Sequence, residues 1–405
     1  MSDREDDNII YVSGSEETRR ENDRRTVERR KTSVTLILII LVGLVVVGVA
    51  VFVHLRMRTY KGVKVLSSAE TSFDSNADYL RFGDNLLKYT PDGVSYINSN
   101  GDVVWTAGED FRVPIAAVRG NYAVVADKGG NLVAVFGLEG QISSLKMPYN
   151  ICDIDVATQG AFAVILESDE TNYIYMYDKT GNPIYEMQTS IDKSGYPMDI
   201  SLSEDGQKLF SSYFKLDGVN IRNNLTAYNF GEVGQNENAD RMVGGFSLDE
   251  EMVPKVQFVT NDTIAAFSDK CIRIYSMKEI PSEKATIEYD SEVTSIFYCE
   301  DYLGYVIPSP DAGTNTDYVL RAFDFSGKLS FEYAFSMDYD KIYADKDEVI
   351  ITGGNQCLII ENGGRTKFTY SFDNSIKSMT PAAKRNEYVV NFESKTETIR
   401  LKTEE

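Results

Sequence analysis

The chain has 405 residues and a formal net charge of −21, with 62 acidic against 41 basic side chains. A surface that acidic repels nucleic-acid phosphates and lacks the counterion release that drives non-specific binding to them, so no nucleic-acid partner is expected. The one histidine, His54, leaves the rest of the chain without a histidine general base, a Ser-His or Cys-His nucleophile, or a histidine-bound metal.

Residues 1–33 form a charged, aromatic-poor stretch that reads as a disordered tail. Residues 34–53, VTLILIILVGLVVVGVAVFV, carry no charge. At about 1.5 Å rise per residue, a helix of that length crosses a hydrocarbon core of roughly 30 Å. The expected element is a transmembrane helix over 34–55 in the lipid bilayer. A cleaved signal peptide fits less well: the apolar run is too long and no small-residue cleavage site follows it. Seven Lys and Arg lie in the fifteen residues before residue 34, among them Arg24, Arg25, Arg29, Arg30 and Lys31, against four in the fifteen after residue 53. That bias places the tail in the cytoplasm and the remainder outside it, as a single-pass protein of the cell membrane. Residues 56–61 then serve as a short stem to a domain over 62–405.

From residue 62 onward helical periodicity is missing. Short runs rich in Val, Ile, Tyr and Phe alternate with Gly, Asn and Asp clusters, in units of about forty residues, and turn pieces such as NSNGD, KTGN, FSGK and ENGG recur at one phase of the unit. Four strands repeating at that period predict an all-β fold, a β-propeller of about eight four-stranded blades, with seven as the alternative. The last unit supplies three strands, at 376–379, 387–392 and 396–401. The orphan segment 62–66, GVKVL, is expected to add the fourth and close the ring.

The residues also resemble known families. SEDGQKLF, at 203–210, is similar to the S-P-D-G-K-x-L-x-F turn of WD40-like and TolB-like propellers; TPDGVSYI and INSNGDVVW resemble repeats of quinoprotein-like and BamB-like propellers. The whole arrangement resembles a family of Gram-positive membrane proteins with one anchor helix, an outward propeller and no assigned function. That resemblance implies fold and topology and carries no active-site residue over. Quinoprotein blades have a docking Trp in most repeats, whereas this chain has only Trp105, which argues against a bound quinone.

No catalytic, cofactor-binding or metal-binding residue is assigned. Residues 309–316, SPDAGTNT, match half of a sialidase Asp box, which is itself a structural turn. The Asp-rich turns at 311–317 and 98–102 offer oxygens to calcium without an EF-hand spacing, so no cofactor is expected beyond that opening. Cys152, Cys271, Cys299 and Cys357 share no CxxC spacing and read as buried thiols, with disulfides left open. Recognition is expected on the longer loops. One is 308–317, with Pro308, Asp311, Asn315 and Asp317; another is 215–222, with Lys215, Asp217 and Arg222. Both join second to third strands and belong on one face, whereas 229–241 belongs on the other. The expected role is a non-enzymatic, membrane-anchored binding or scaffold module for an envelope protein or polymer. The alternatives are a carboxylate-dependent envelope glycan hydrolase or lyase, and a sensor signalling through the helix.

Overall fold

A computed structural model describes residues 19–21, 24, 38, 40–49, 58–70, 76–169, 171–189, 194–218, 220–310 and 316–403. The chain divides into two compact units, Met1–Arg58 and Thr59–Glu405. In the first, residues 40–49 are helical, and the apolar side chains Ile40, Leu41, Leu44, Val45, Val46 and Val49 are all more than half exposed. No helix among the described residues is long and apolar enough to cross a membrane.

The second unit is eight four-stranded antiparallel sheets. Blade 1 begins at Asp78–Phe82 and ends at Val103–Gly108; blade 2 runs from Pro114–Arg119 to Gly140–Lys146, blade 3 from Asn150–Val156 to Pro183–Thr189, and blade 4 from Tyr196–Leu202 to Met242–Asp249. Blade 5 runs from Lys255–Thr260 to Pro281–Glu288, blade 6 from Ser295–Tyr298 to Leu329–Phe335, and blade 7 from Lys341–Ala344 to Arg365–Ser371. Blade 8 takes three strands from Ile376–Pro381, Glu387–Phe392 and Lys395–Lys402, and its fourth from Gly62–Glu70. Blade 1 is complete, so the ring has eight blades rather than seven. Its first strand, DYLRF, is short, and only Phe82 of it is fully buried.

Composition explains the position of each strand within a blade. Second strands such as Phe162–Glu167, Glu348–Gly353 and Glu387–Phe392 are almost wholly buried, since neighbouring blades cover both faces, and they read as unbroken apolar runs. Fourth strands such as Pro183–Thr189 alternate exposed and half-buried positions. Each blade interface is filled by an apolar cluster. Trp105, for example, stacks between Tyr96 and Phe136 at the junction of blades 1 and 2. The cluster between blades 8 and 1 is the smallest, with Leu86, Ile97 and Val389 buried.

The recurrent Gly turns join third to fourth strands and pack on the outer strand of the preceding blade. Gly101 has φ +89°, and a Cβ there would lie 2.5 Å from that of Ala69; at Gly181, φ +91°, it would lie 2.6 Å from Leu145 Cδ2. Only glycine meets both conditions. The residue opening such a turn caps it: Asp178 accepts the backbone N–H of Thr180 and of Asn182, while the Asn182 side chain and the Thr180 hydroxyl also donate to it and hold its carboxyl well below the usual range. In blade 8 the stem replaces this turn. Tyr60 N–H donates to Lys367 O at 2.8 Å and Lys61 N–H to Lys402 O at 2.9 Å.

Ring closure rests on one pairing. Gly62 opposes Lys402 and Glu70 opposes Lys395, with a bulge between Val65 and Ser67. A chain lacking 62–66 leaves residues 399–402 of the last strand without their partners, and its loss of cooperative thermal unfolding by circular dichroism is the expected outcome.

Blades 7 and 8 also share a buried ionic triad. Lys367 Nζ lies 2.6 Å from Glu348 Oε2, and Tyr388 donates its hydroxyl to Glu348 Oε1 at 2.6 Å. Lys367 also donates to the Tyr388 hydroxyl at 2.8 Å. Exposure is 4% for Glu348, 7% for Lys367 and 1% for Tyr388. Glu348→Ala strands a buried ammonium, at an expected cost of about 3–5 kcal/mol in urea unfolding. The double change Glu348→Met with Lys367→Met should recover most of that loss, because it removes both charges at similar volume.

Candidate functional site

Antiparallel blades give the ring two distinct faces. First-to-second and third-to-fourth turns emerge on one face; second-to-third connections and the links to the next blade emerge on the other. Gly62 starts a fourth strand, so the chain arrives on the first face. Residues 229–241, which contain the short helix Glu232–Glu237, join third to fourth strands of blade 4 and lie on that arrival face.

The opposite face carries the two other segments. Residues 215–222 are not a loop but the end of a long hairpin. Lys215 pairs with Arg222, Leu216 with Ile221 and Asp217 with Asn220, beyond the last inner-strand pair, Tyr196 with Phe214. Leu216 is 59% and Ile221 41% exposed, and Arg222 Nε reaches Asp249 Oδ1 at 2.7 Å. The sequence KLDGVNIR suggests a turn because Asp-Gly sits in it, and the flanking apolar residues on the same strand face show that the ladder continues.

The other segment joins second to third strands of blade 6. Asp311 and Asn315 lie outside the described residues, as do Arg25, Arg29, Arg30 and Lys31, whereas Arg24 is described and exposed. The ends of the segment are fixed. Pro308 pairs with Tyr318, Ser309 N–H donates to Asp317 O at 2.8 Å, and the Asp317 carboxylate accepts the Ser336 hydroxyl. Behind it Tyr318, Phe335 and Tyr339 pack ring to ring with centroids 5.1–5.7 Å apart.

A third feature escapes sequence reading. The first strands of blades 2 to 6 bring Arg119, Asp153, Asp155, Asp199, Lys255 and Tyr298 together in the channel. Arg119 Nη2 is 3.8 Å from Asp155 Oδ2, and Lys255 Nζ is 3.0 Å from Asp199 Oδ1. The same carboxylates also serve the backbone of the next blade. Asp155 Oδ2 accepts the N–H of Leu202 at 2.7 Å, Asp199 Oδ2 that of Val256 at 2.6 Å, and Ser201 Oγ that of Phe258 at 3.0 Å. An inner strand is a sheet edge with unpaired donors, and these side chains satisfy them. Three carboxyls face two cations. Burial, with Asp153 beside it, pushes the Asp199 carboxyl well above its ordinary range against the pull of Lys255. The surrounding carboxylates hold the Lys255 ammonium charged.

The Asp199 shift has a definite sign. An acid whose folded pKa is raised binds its proton more tightly when folded. Its contribution to stability is present below an unfolded value of about 3.9 and is lost as pH rises toward the folded value. Asp199→Asn, which keeps an acceptor for Val256, should therefore flatten the fall in urea midpoint as pH rises from about 4 toward neutrality.

Among the described residues no group of three or more His, Cys, Asp or Glu is placed to hold a metal ion. In the turn at 98–102, Asn98 Oδ1 is occupied by the N–H of Asn100 and of Asp102. All four cysteines are free thiols, and burial pushes that of Cys357 up to about 12.

Fold and channel define an eight-bladed β-propeller closed by its N-terminal strand. The chain belongs to a family of unknown function, DUF5711, whose model matches residues 56–401. No curated protein matches the chain. Among solved structures it is similar to BamB from Moraxella catarrhalis, at 13% identity and TM-score 0.52, over 84% of this chain and 100% of that one. It is equally similar to Sqt1 from Chaetomium thermophilum bound to the N-terminus of ribosomal protein L10, at 11% identity and TM-score 0.52, over 84% and 100%. AztD from Citrobacter koseri gives 11% identity and TM-score 0.50 over 74% and 87%. At such identities these likenesses show the fold.

Proposed function

We propose that the chain is a membrane-tethered propeller that binds a protein partner outside the cytoplasm. The observation that carries the reading is the exposed Leu216–Ile221 pair on a hairpin that outreaches its own inner strand, on the face opposite the chain's arrival. Paired apolar side chains held on a rigid ladder and ringed by charge have the make-up of an interface anchor. The uncharged run 34–53, apolar all round where its helix is described, supports a bilayer anchor. The Sqt1 structure supports the use of this ring shape to hold a peptide segment. Carboxylate glycan hydrolysis fits the channel less well: its acid and base must be free to reach a sugar, whereas Asp155 and Asp199 are already bound to the backbone N–H of Leu202 and Val256.

A photo-crosslinking amino acid at position 216 or 221 of the full chain, in intact cells, should trap a discrete protein. Leu216→Ser with Ile221→Ser should cut native capture of that protein at least several-fold. Trapping of glycan alone, or release of glycan fragments by the purified full chain, would overturn the proposal. External protease acting on wall-stripped cells should cleave the propeller and spare a tag at the N-terminus. The reverse pattern would refute the topology.

A further inference from the structure

The far face holds a second recess besides the hairpin. It lies between the end of the outer strand of blade 6 and the third and fourth strands of blade 7, with a volume of about 360 Å³. Phe335 and Leu358, each 5% exposed, form an apolar floor. Half-buried Tyr333 and Tyr370 add aromatic walls, and Thr316 and Gln356 add neutral polar groups. Among the described residues, no Lys, Arg, Asp or Glu lines it.

The exposed charge beside it that is not taken up by an ion pair is acidic. Asp317 abuts the recess through Ser336. The flanking segments carry Asp338, Asp340 and Asp373, while Glu332 is held by Arg321, and the neighbouring Lys341 and Lys377 are held by Asp78 and Glu393. Glu332, Asp317, Asp338, Asp340 and Asp373 are all exposed. One wall is the strand Leu329–Phe335, which is hydrogen-bonded to a partner strand on one side only. An extended peptide can bond to such an edge, place one side chain in a neighbouring pocket, and set its charges against the rim.

We infer that this groove docks an extended, cationic segment of the partner protein, with a large apolar side chain seated over Phe335 and Leu358 and Lys or Arg at the acidic rim. The inference rests on the reading of the far face as a protein-binding surface. A neutral floor beside Asp317, Asp338, Asp340 and Asp373 selects this chemistry over an acidic peptide, which these carboxylates repel, and over an anionic lipid headgroup, because the neighbouring cations Arg321, Lys341 and Lys377 are already held by carboxylates.

The probe is a fluorescein-labelled Lys-Phe-Lys-Leu-Lys peptide, with Glu-Phe-Glu-Leu-Glu as its counterpart, titrated against the full chain in detergent by fluorescence anisotropy. The lysine peptide should bind at least tenfold more tightly than the glutamate peptide. Ser371→Arg or Thr369→Arg, both exposed changes in the groove, should weaken it at least tenfold, whereas Ser144→Arg on blade 2 should leave it within twofold. A benzoyl-phenylalanine version should label peptides containing residues 333–337 or 369–371. Equal binding of the two peptides, equal weakening by Ser371→Arg and Ser144→Arg, or labelling elsewhere would each overturn the inference. Unchanged thermal unfolding of the variants ensures that lost binding reports the groove. Capture that depends on Leu216 and Ile221 but ignores the groove variants would refute the groove and leave the far-face reading standing. Loss of capture at both sites in intact cells, with the lysine peptide still seated in the groove, would do the opposite.

Discussion

A sheet closed into a ring of blades must satisfy two kinds of edge, and most of this molecule answers that requirement. Every inner strand presents an unpaired sheet edge to the channel. The chain meets several N–H groups of these edges with side chains from the preceding blade, Asp155 to Leu202, Asp199 to Val256 and Ser201 to Phe258. Carboxylates are strong acceptors for this purpose, but they bring charge into a confined space. Arg119 and Lys255 offset it, and burial raises the Asp199 carboxyl above its ordinary range. The channel cluster is thus the electrostatic consequence of holding blades together by their backbones.

The outer edges are treated differently. They pack against the Gly turns of the next blade, and these turns admit no side chain at Gly101 or Gly181. What remains open at the rim is available to other molecules. The two faces differ because the stem occupies the turn position of blade 8, leaving the far face to the hairpin of blade 4 and the loop of blade 6. Tolerant loops on a rigid ring can vary without disturbing the interfaces that hold it.

The architecture was legible in the sequence because its grammar is local. Strand runs, Gly turns at one phase and the orphan GVKVL are visible within windows of a few residues. Blade 1 was harder, since the short strand Asp78–Phe82 mixes Asp78 and Arg81 with its apolar residues and buries only Phe82 fully, and so looks unlike a strand. The channel cluster was not legible. Arg119, Asp199 and Lys255 are each the one charge of their strand and Asp153 shares its strand only with Asp155, and only the closed ring brings residues from successive units together. A charge at the same phase of consecutive first strands, as in ICDIDV, MDISL and KVQF, is the signal that marks it. The groove was hidden for a similar reason: its walls come from two blades, and neither half is unusual alone.

The pairing of Gly62 with Lys402 also sets a schedule for synthesis. The outermost strand of blade 8 is made first, and its partner is the last strand of the ring. At about 5–20 residues per second, roughly 20–70 s separate the two. Throughout that interval Gly62–Glu70 is an unpaired edge carrying exposed Val65 and Leu66. Blades 1 to 7 can stack on one another as they appear, but the ring becomes topologically complete only once Lys395–Lys402 has been made. A chaperone that shields this first strand would act before any partner of the finished propeller could.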